Sequence, residues 1–390
     1  MEKLVYGGDA LARDNGQVIL IPFLLPGEPA RVRVVEQKPQ LLKARVEELL
    51  APSVHRAEPR CRHFGACGGC HYQHAVYEYQ LEQKLAILRE VFSRVGKMEA
   101  PAEIEVLSGP PFGYRNRAQF HYDGRNLGYH EAGSRNVLAI EDCPISSPKL
   151  LESYGRLRLM SKDSRFPRFL RTLELFTNET DVQLNVLSSA QPAARRFFDW
   201  CAREIPGLLS GALTYTAAGF EFRVSHDAFF QVNRFLIEPL VEAALRDAEG
   251  ESALDLYSGA GLFSLPLAKR IPKVTAVESG AAAWRDLRFN AERAGVAVDA
   301  RQASTEQFLA AGPPADFVLA DPPRAGLGKH VVQRLLETKP RRLTIVSCDP
   351  ATLARDLAAL CGAYTLDSLT MIDLFPQTFH IETVARLRLA

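Results

Sequence analysis

The spacing of apolar and polar residues changes character along the chain. Up to about Pro52 it reads as short strands broken by turn residues, in "GQVILIPF", "LPGEPARVRVVEQ" and "LKARVEELL". Val32 and Val34 alternate with Arg31 and Arg33, the period of two of a half-buried strand. So few strands close most simply as a small OB-like β-barrel, assigned to residues 1–52. The stretch "CRHFGACGGCHYQH" is too dense in glycine and cysteine for regular structure. Leu81, Leu85, Leu88 and Phe92 then recur at helical spacing and predict a long amphipathic helix. From about Gly113 to Ser225 the strands lengthen, with a hairpin expected around Asn178 in "LELFTNETDVQLNVLSS". Residues 53–228 are therefore expected to form a mixed, mainly antiparallel α+β domain.

From about Phe229 apolar strands alternate with amphipathic helices. "ALDLYSGAG", "KVTAVES", "VDARQAS", "ADFVLADPP" and "LTIVSCDP" each lead into a helix, which implies a parallel α/β sheet covered on both faces. Two closing strands, "YTLDSLTMIDLF" and "FHIETVARLRL", have no helix between them and are expected to pair antiparallel at the edge. Residues 229–390 form this third domain, and no internal repeat or low-complexity tract is visible.

Composition adds limits. At 390 residues two or three cores are affordable, and the first residues lack the basic and apolar pattern of a secretory signal, so a cytoplasmic location is expected. Seven cysteines in a reducing compartment point to metal ligands, reactive thiols or core positions rather than disulfides. A net charge of +1 makes any polyanion site a local patch. Arg156–Arg171, where arginine, lysine and aromatic residues interleave, is one such stretch, and a solvated surface is the plain alternative.

Ligands of open parallel sheets bind beyond the carboxyl ends of the strands. There the first strand gives Gly259 and Gly261, the second ends at Glu278, the fourth ends in "DPPR", and the fifth ends at Cys348 before a helix. A glycine turn plus an acid that can accept from both ribose hydroxyls suits S-adenosylmethionine, with a dinucleotide or a structural turn as alternatives. A thiol at a helix start is expected to have a lowered pKa, and Cys348 on the ligand rim is read as reactive rather than as core. Glu382 lies on a closing strand near the same rim. Cys61, Cys67, Cys70 and the distant Cys143 could hold zinc or an iron-sulfur cluster, with His63 and His71 keeping zinc open and a chance grouping of structural cysteines the third reading. Cys201 and Cys361 read as core.

Taken together, "LPGE", "CRHFGACGGCHYQH", "FFQVN", "DLYSGAG", "DPPRAG", "SCDP" and "FPQTFHIET" resemble, in order and over nearly the whole chain, the RNA 5-methyluridine methyltransferases, in particular the branch with an N-terminal TRAM domain and an iron-sulfur cluster that acts on 23S ribosomal RNA. The resemblance implies a class I methyltransferase domain behind a TRAM barrel. It implies a 4Fe-4S cluster on Cys61, Cys67, Cys70 and Cys143 and contacts to S-adenosylmethionine from Gln231, Tyr257, Glu278 and Asp321. It also implies Cys348 as nucleophile and Glu382 as general base. One departure is Leu262, where the family often has an asparagine that reaches the cofactor.

The implied chemistry accounts for the residue types. Carbon 5 of uracil is a poor nucleophile until a thiolate adds at carbon 6, and the adduct then needs a base to remove the surplus proton. The target uridine must be unstacked to be reached. The barrel, with Arg115 and Arg117, is expected to hold RNA, with transfer RNA as the alternative to 23S ribosomal RNA. The rival readings are an amino-group RNA methyltransferase built on "DPPR", which needs no thiol, and an inactive RNA-binding module on the same fold.

Overall fold

The period-two stretches of the N-terminal region form the strands expected of them. In the computed structural model, which describes Met1–Ala390, they are β1 (Lys3–Leu4), β2 (Asp9–Asp14), β3 (Gln17–Pro22), β4 (Ala30–Lys38) and β5 (Leu41–Leu49). The sheet order is β1-β2-β3-β5-β4. Its buried residues Leu4, Ala10, Ile21 and Leu24 belong to the same apolar cluster as Leu254, Leu256 and Ile345 of the C-terminal sheet. The barrel therefore shares a core with the domain that follows it at the far end of the chain.

The cysteine loop has no regular structure and leads into α1 (Tyr77–Val91), which closes in a single π-helical turn, Phe92–Gly96. The most buried face of α1 and the turn that closes it takes in only half of the leucine stripe, Leu88 and Phe92. It carries Tyr79, Gln80 and Lys84 beside Ile87 and Leu88, while Leu81 and Leu85 are half-buried. Next, β6 (Glu105–Leu107) pairs with a strand of the C-terminal sheet, so this stretch packs with that sheet although it lies inside 53–228.

The central sheet contains β7 (Arg117–Tyr122), β8 (Leu127–His130), β9 (Val137–Leu138), β10 (Leu170–Thr177), β11 (Val182–Ser189) and β12 (Leu208–Leu209), in the order β12-β11-β10-β7-β8-β9. The turn at Asn178 joins β10 to β11, and the Asn178 side chain accepts from the amides of Thr180 (2.9 Å) and Asp181 (2.7 Å). α2 (Pro148–Met160) and α3 (Arg195–Glu204) cover one face, where Ala118, Phe120 and Tyr122 meet Tyr154, Leu157 and Trp200. Cys201 is buried in that core, as expected. The other face of β7 carries Arg117, Gln119 and His121 toward a cavity. A hairpin of β13 (Leu213–Ala217) and β14 (Phe220–Val224) follows.

The C-terminal domain has α4 (Ile237–Leu245), β15 (Ser252–Leu256), α5 (Ser264–Leu267), β16 (Lys273–Glu278), α6 (Ala281–Ala294), β17 (Val298–Gln302), α7 (Thr305–Ala311), β18 (Phe317–Ala320), α8 (Gly328–Thr338), β19 (Arg342–Ser347), α9 (Pro350–Leu360), β20 (Tyr364–Ile372) and β21 (Glu382–Leu389). The order is β17-β16-β15-β18-β19-β21-β20-β6, with β15 to β19 parallel. Chain order reverses between β15 and β18, the switch point where such sheets bind ligands. The two closing strands pair antiparallel as expected, but not at the edge. β21 inserts beside β19, and β6 supplies the outermost strand. Sequence periodicity carries no information on such a long-range insertion. Cys361, expected in the core, instead ends α9 and is exposed.

Candidate active site and cysteine-lined cavity

β15 runs into Tyr257, whose φ of 63° is a left-handed conformation that costs a non-glycine residue about 1 kcal/mol or more. Gly261 follows with φ 97°, and a Cβ there would lie 2.7 Å from Leu287 Cδ1 and 2.8 Å from Leu265 Cδ1. Only glycine closes this turn. Across the rim the Glu278 carboxylate accepts from the amides of Gly259 (2.9 Å) and Gly280 (2.5 Å), which locks it between the first and second strand ends. Ser258 Oγ, in the same turn, is buried and has no partner. A fixed acid, an open glycine turn and a free buried hydroxyl fit a bound adenosine moiety. Leu262 is buried in the core, so it holds the turn by packing and makes no polar contribution.

Gln231 is buried on the "FFQVN" loop. That loop is tied on both sides: the Asn116 amide donates to Val232 O (3.0 Å), and Asn233 Nδ2 donates to Leu374 O (3.0 Å). It therefore lies between the start of β7 and the segment that leads to Glu382.

Cys348 and Glu382 come together through the antiparallel pairing of β19 with β21. Ser347 is paired with Thr383, so the residue after one and the residue before the other stand opposite at the end of the ladder. Asp321 leaves β18 on the same rim. Burial pushes the Cys348 thiol up to about 11, with Glu382 and Asp321 adding to the rise and Arg324 opposing it. This reverses the expectation of a lowered thiol pKa. α9 does start just beyond Cys348, but its first amides, those of Ala351 (3.0 Å) and Thr352 (2.9 Å), donate to the Asp349 side chain. Loss of solvent and two neighbouring carboxyls outweigh what remains of the helix dipole. Glu382 is held well above the usual carboxylate range by burial and by Asp321, and burial lifts Asp321 to about 7. Beneath them Asp255, fully buried and bonded to Ser264 Oγ, is also raised to about 7.

The loop Asp373–Ile381 that delivers Glu382 is clamped by α1. Lys84 Nζ and Asp373 Oδ1, both buried, meet at 2.6 Å, and Tyr77 Oη donates to Asp373 Oδ2 at 2.7 Å. Gln80 exchanges hydrogen bonds with Gln377 at its side chain (3.0 Å) and its amide (3.2 Å). These residues, and Arg324 as the cation that acts on both Cys348 and Glu382, carried no role in the sequence reading. Lys84 and Gln80 sit at helix positions that look like ordinary polar surface. Arg324 was visible within "DPPR".

The four cysteines Cys61, Cys67, Cys70 and Cys143 line one cavity of about 770 Å³. Burial raises the thiols of Cys61 and Cys67 and pushes Cys70 up to about 12, and each is raised further by neighbouring cysteines. Arg115 lines the same cavity, and its charge pulls the other way on Cys67. No three His, Cys, Asp or Glu side chains converge as a single ion requires. His71 is turned away from the thiols and packs on Phe379 at 4.7 Å, while His63 lines the cavity. Arg117, expected to meet RNA, is buried: it pairs with Glu174 at 2.7 Å and donates to Ala228 O at 2.8 Å. Within Arg156–Arg171 the basic residues Arg156, Lys162, Arg165, Arg168 and Arg171 are exposed.

Profiles of known families match three segments: the TRAM domain over residues 2–46, the methyltransferase small domain over 224–346, and tRNA (uracil-5-)-methyltransferase over 314–388. The chain is 36% identical over 409 residues to the 23S rRNA (uracil(1939)-C(5))-methyltransferase RlmD of Cronobacter sakazakii, covering 97% of this chain and 93% of that one. It is 31% identical over 424 residues to an uncharacterized RNA methyltransferase of Aquifex aeolicus, covering 99% and 97%. Among solved structures, the Pyrococcus abyssi tRNA (uracil-54, C5)-methyltransferase in complex with S-adenosyl-L-homocysteine superposes with a TM-score of 0.78 at 28% identity, covering 99% and 98%. No helix is long and apolar enough to cross a membrane. With this identity over an alignment that covers 97% of it, the chain belongs to the S-adenosylmethionine-dependent RNA (uracil-C5)-methyltransferase family.

Proposed function

We propose that this protein methylates carbon 5 of a uridine in 23S ribosomal RNA, with Cys348 as nucleophile and Glu382 as general base. The observation that carries the assignment is the β19–β21 register, which sets a thiol and a carboxyl opposite each other on the ligand rim. S-adenosylmethionine supplies the electrophilic methyl group when held by Gln231, Tyr257, Glu278 and Asp321. The half-exposed Cys348 thiol gives its proton to solvent and the thiolate sulfur adds to carbon 6 of the uracil, leaving carbon 5 enolate-like. Once carbon 5 has taken the methyl group from the sulfonium, with S-adenosylhomocysteine as the leaving group, Glu382 removes the surplus proton, the ring double bond re-forms and the thiolate leaves. The raised pKa makes the Glu382 carboxylate a stronger base, provided that its own proton has left before the step. Arg324 offsets the negative charge that this sequence gathers on the rim.

We further propose that Cys61, Cys67, Cys70 and Cys143, which line one cavity, would hold a 4Fe-4S cluster. A cluster on four thiolates is anionic, and Arg115 is the cation set against it. Methyl transfer has no redox step, so the cluster serves the fold and the placing of RNA. Anaerobically prepared protein is expected to contain iron and acid-labile sulfide in equal amounts and to lose both on Cys70→Ser. Zinc in their place would overturn this.

Mapping 5-methyluridine in ribosomal and transfer RNA from cells with and without the gene tests the substrate. Loss from 23S ribosomal RNA supports the proposal, and loss confined to transfer RNA refutes it. Cys348→Ala is expected to abolish transfer, whereas an amino-group methyltransferase would be spared.

A further inference from the structure

The barrel reaches the catalytic rim through one side chain. Tyr6 sits at the tip of the turn between β1 and β2, a turn closed by Val5 N to Asp9 O (2.9 Å) and Gly8 N to Val5 O (3.1 Å). Its hydroxyl lies 3.4 Å from Asp349 Oδ2 and 3.5 Å from the carbonyl oxygen of Cys348. The other Asp349 oxygen, Oδ1, accepts from the Ala351 and Thr352 amides, so Asp349 spans Tyr6 and the first turn of α9. The Tyr6 ring meets Phe379 edge-on at 5.5 Å, on the loop that leads to Glu382.

The turn is held in this position from below. Gly8 has φ 98°, and a Cβ there would lie 3.1 Å from His71, whose ring packs on the same Phe379. Tyr6 is half-buried, and burial beside Asp349 keeps its hydroxyl protonated and able to donate. One side chain from the first ten residues thus touches both segments that carry the chemistry, more than 300 positions away in the chain.

We propose that Tyr6 is a positioning residue of the active site: it ties the Cys348–Asp349 turn to the Phe379 loop, so that nucleophile and base keep their mutual geometry only while the barrel is docked. RNA that binds the barrel then acts on the same element that holds the nucleophile. The inference rests on the assignment of Cys348 as nucleophile, and it makes the barrel a part of the catalytic apparatus as well as an RNA-binding module.

Full-length holoprotein carrying Tyr6→Phe, which keeps the ring and removes the hydroxyl, provides the test. The readouts are the single-turnover rate of covalent adduct formation with RNA containing 5-fluorouridine, the Kd for that RNA, and the thermal midpoint. The expected result is a fall of roughly tenfold in adduct rate, the size of one lost hydrogen bond to a charged group, with RNA affinity and midpoint unchanged. Tyr6→Ala, which also loses the packing on Phe379, is expected to fall further. An adduct rate equal to wild type in Tyr6→Phe overturns the proposal, as does a loss found only in RNA affinity, which would make Tyr6 an RNA contact. Cys348→Ser, run in parallel, separates the two claims. If it still forms the adduct, the nucleophile assignment fails. If it does not while Tyr6→Phe is normal, only the role of Tyr6 fails.

Discussion

A thiol raised to about 11 is mostly protonated at neutral pH, so deprotonation has to precede its attack. The rate of adduct formation is accordingly expected to climb steadily between pH 6 and 9, with no plateau at the pKa of an ordinary thiol. Stopped-flow trapping on 5-fluorouridine RNA across that range measures it. Glu382 has a second consequence, for stability. Its pKa is raised in the folded state, so its contribution to stability is fully present below the ordinary carboxylate range and is lost as pH rises through the raised value. Glu382→Gln should therefore be more stabilising at pH 8 than at pH 5, while stalling turnover after methylation. Urea melts at the two pH values, together with accumulation of a methylated covalent adduct, check both parts. The legible residues here were those whose chemical type is unusual for their place: a cysteine before Asp-Pro and an acid after a strand. The raised thiol pKa was not legible, because it depends first on burial and then on two carboxyls that chain distance separates from Cys348.

At the scale of elements, α1 shows how a polar residue comes to be buried. Lys84 and Asp373 are almost fully enclosed and meet at 2.6 Å, an arrangement tolerated because each satisfies the other. Lys84→Met leaves Asp373 as a buried charge with only Tyr77 for a partner and should destabilise by about 3 kcal/mol or more. A Lys84→Met, Asp373→Leu double variant should recover part of the stability without the activity, because the base loop is then free to shift. Equilibrium unfolding with parallel turnover assays distinguishes this from simple loss of packing. The helix itself was readable from its periodicity. Which face it buries was not, since Gln80 and Lys84 are interior only because the 373–377 segment returns across them.

For the whole molecule, the barrel and the catalytic sheet share one apolar cluster, with Leu4, Ile21 and Leu24 of the first joined to Leu254 and Ile345 of the second. Deleting residues 1–52 should thus do more than weaken RNA binding. It exposes part of that core and removes Tyr6, so adduct formation is expected to fall even at saturating RNA, while S-adenosylhomocysteine still binds. Calorimetric titration of the truncated protein and single-turnover trapping measure the two halves of that expectation. Normal trapping at high RNA concentration would confine the barrel to recruitment. The division at 52 and 228 is best taken as a proposal about folding units, because α1 and β6 pack with the catalytic sheet from inside the middle segment.

Local periodicity and turn chemistry along the chain were enough to define the barrel strands, the β-α alternation and the Asn178 turn, while the roles expected of the site residues came from the resemblance of their motifs to a known family. The strands, the alternation and the turn follow from interactions within a few positions: alternation of apolar residues and turn preferences. Tertiary structure alone decided that β21 enters between β19 and β20, that Arg117 is spent on Glu174, that Cys361 is exposed, and that Tyr6 reaches Cys348. Each of those depends on contacts between residues far apart in the chain, whose burial and electrostatic setting exist only once the segments have met.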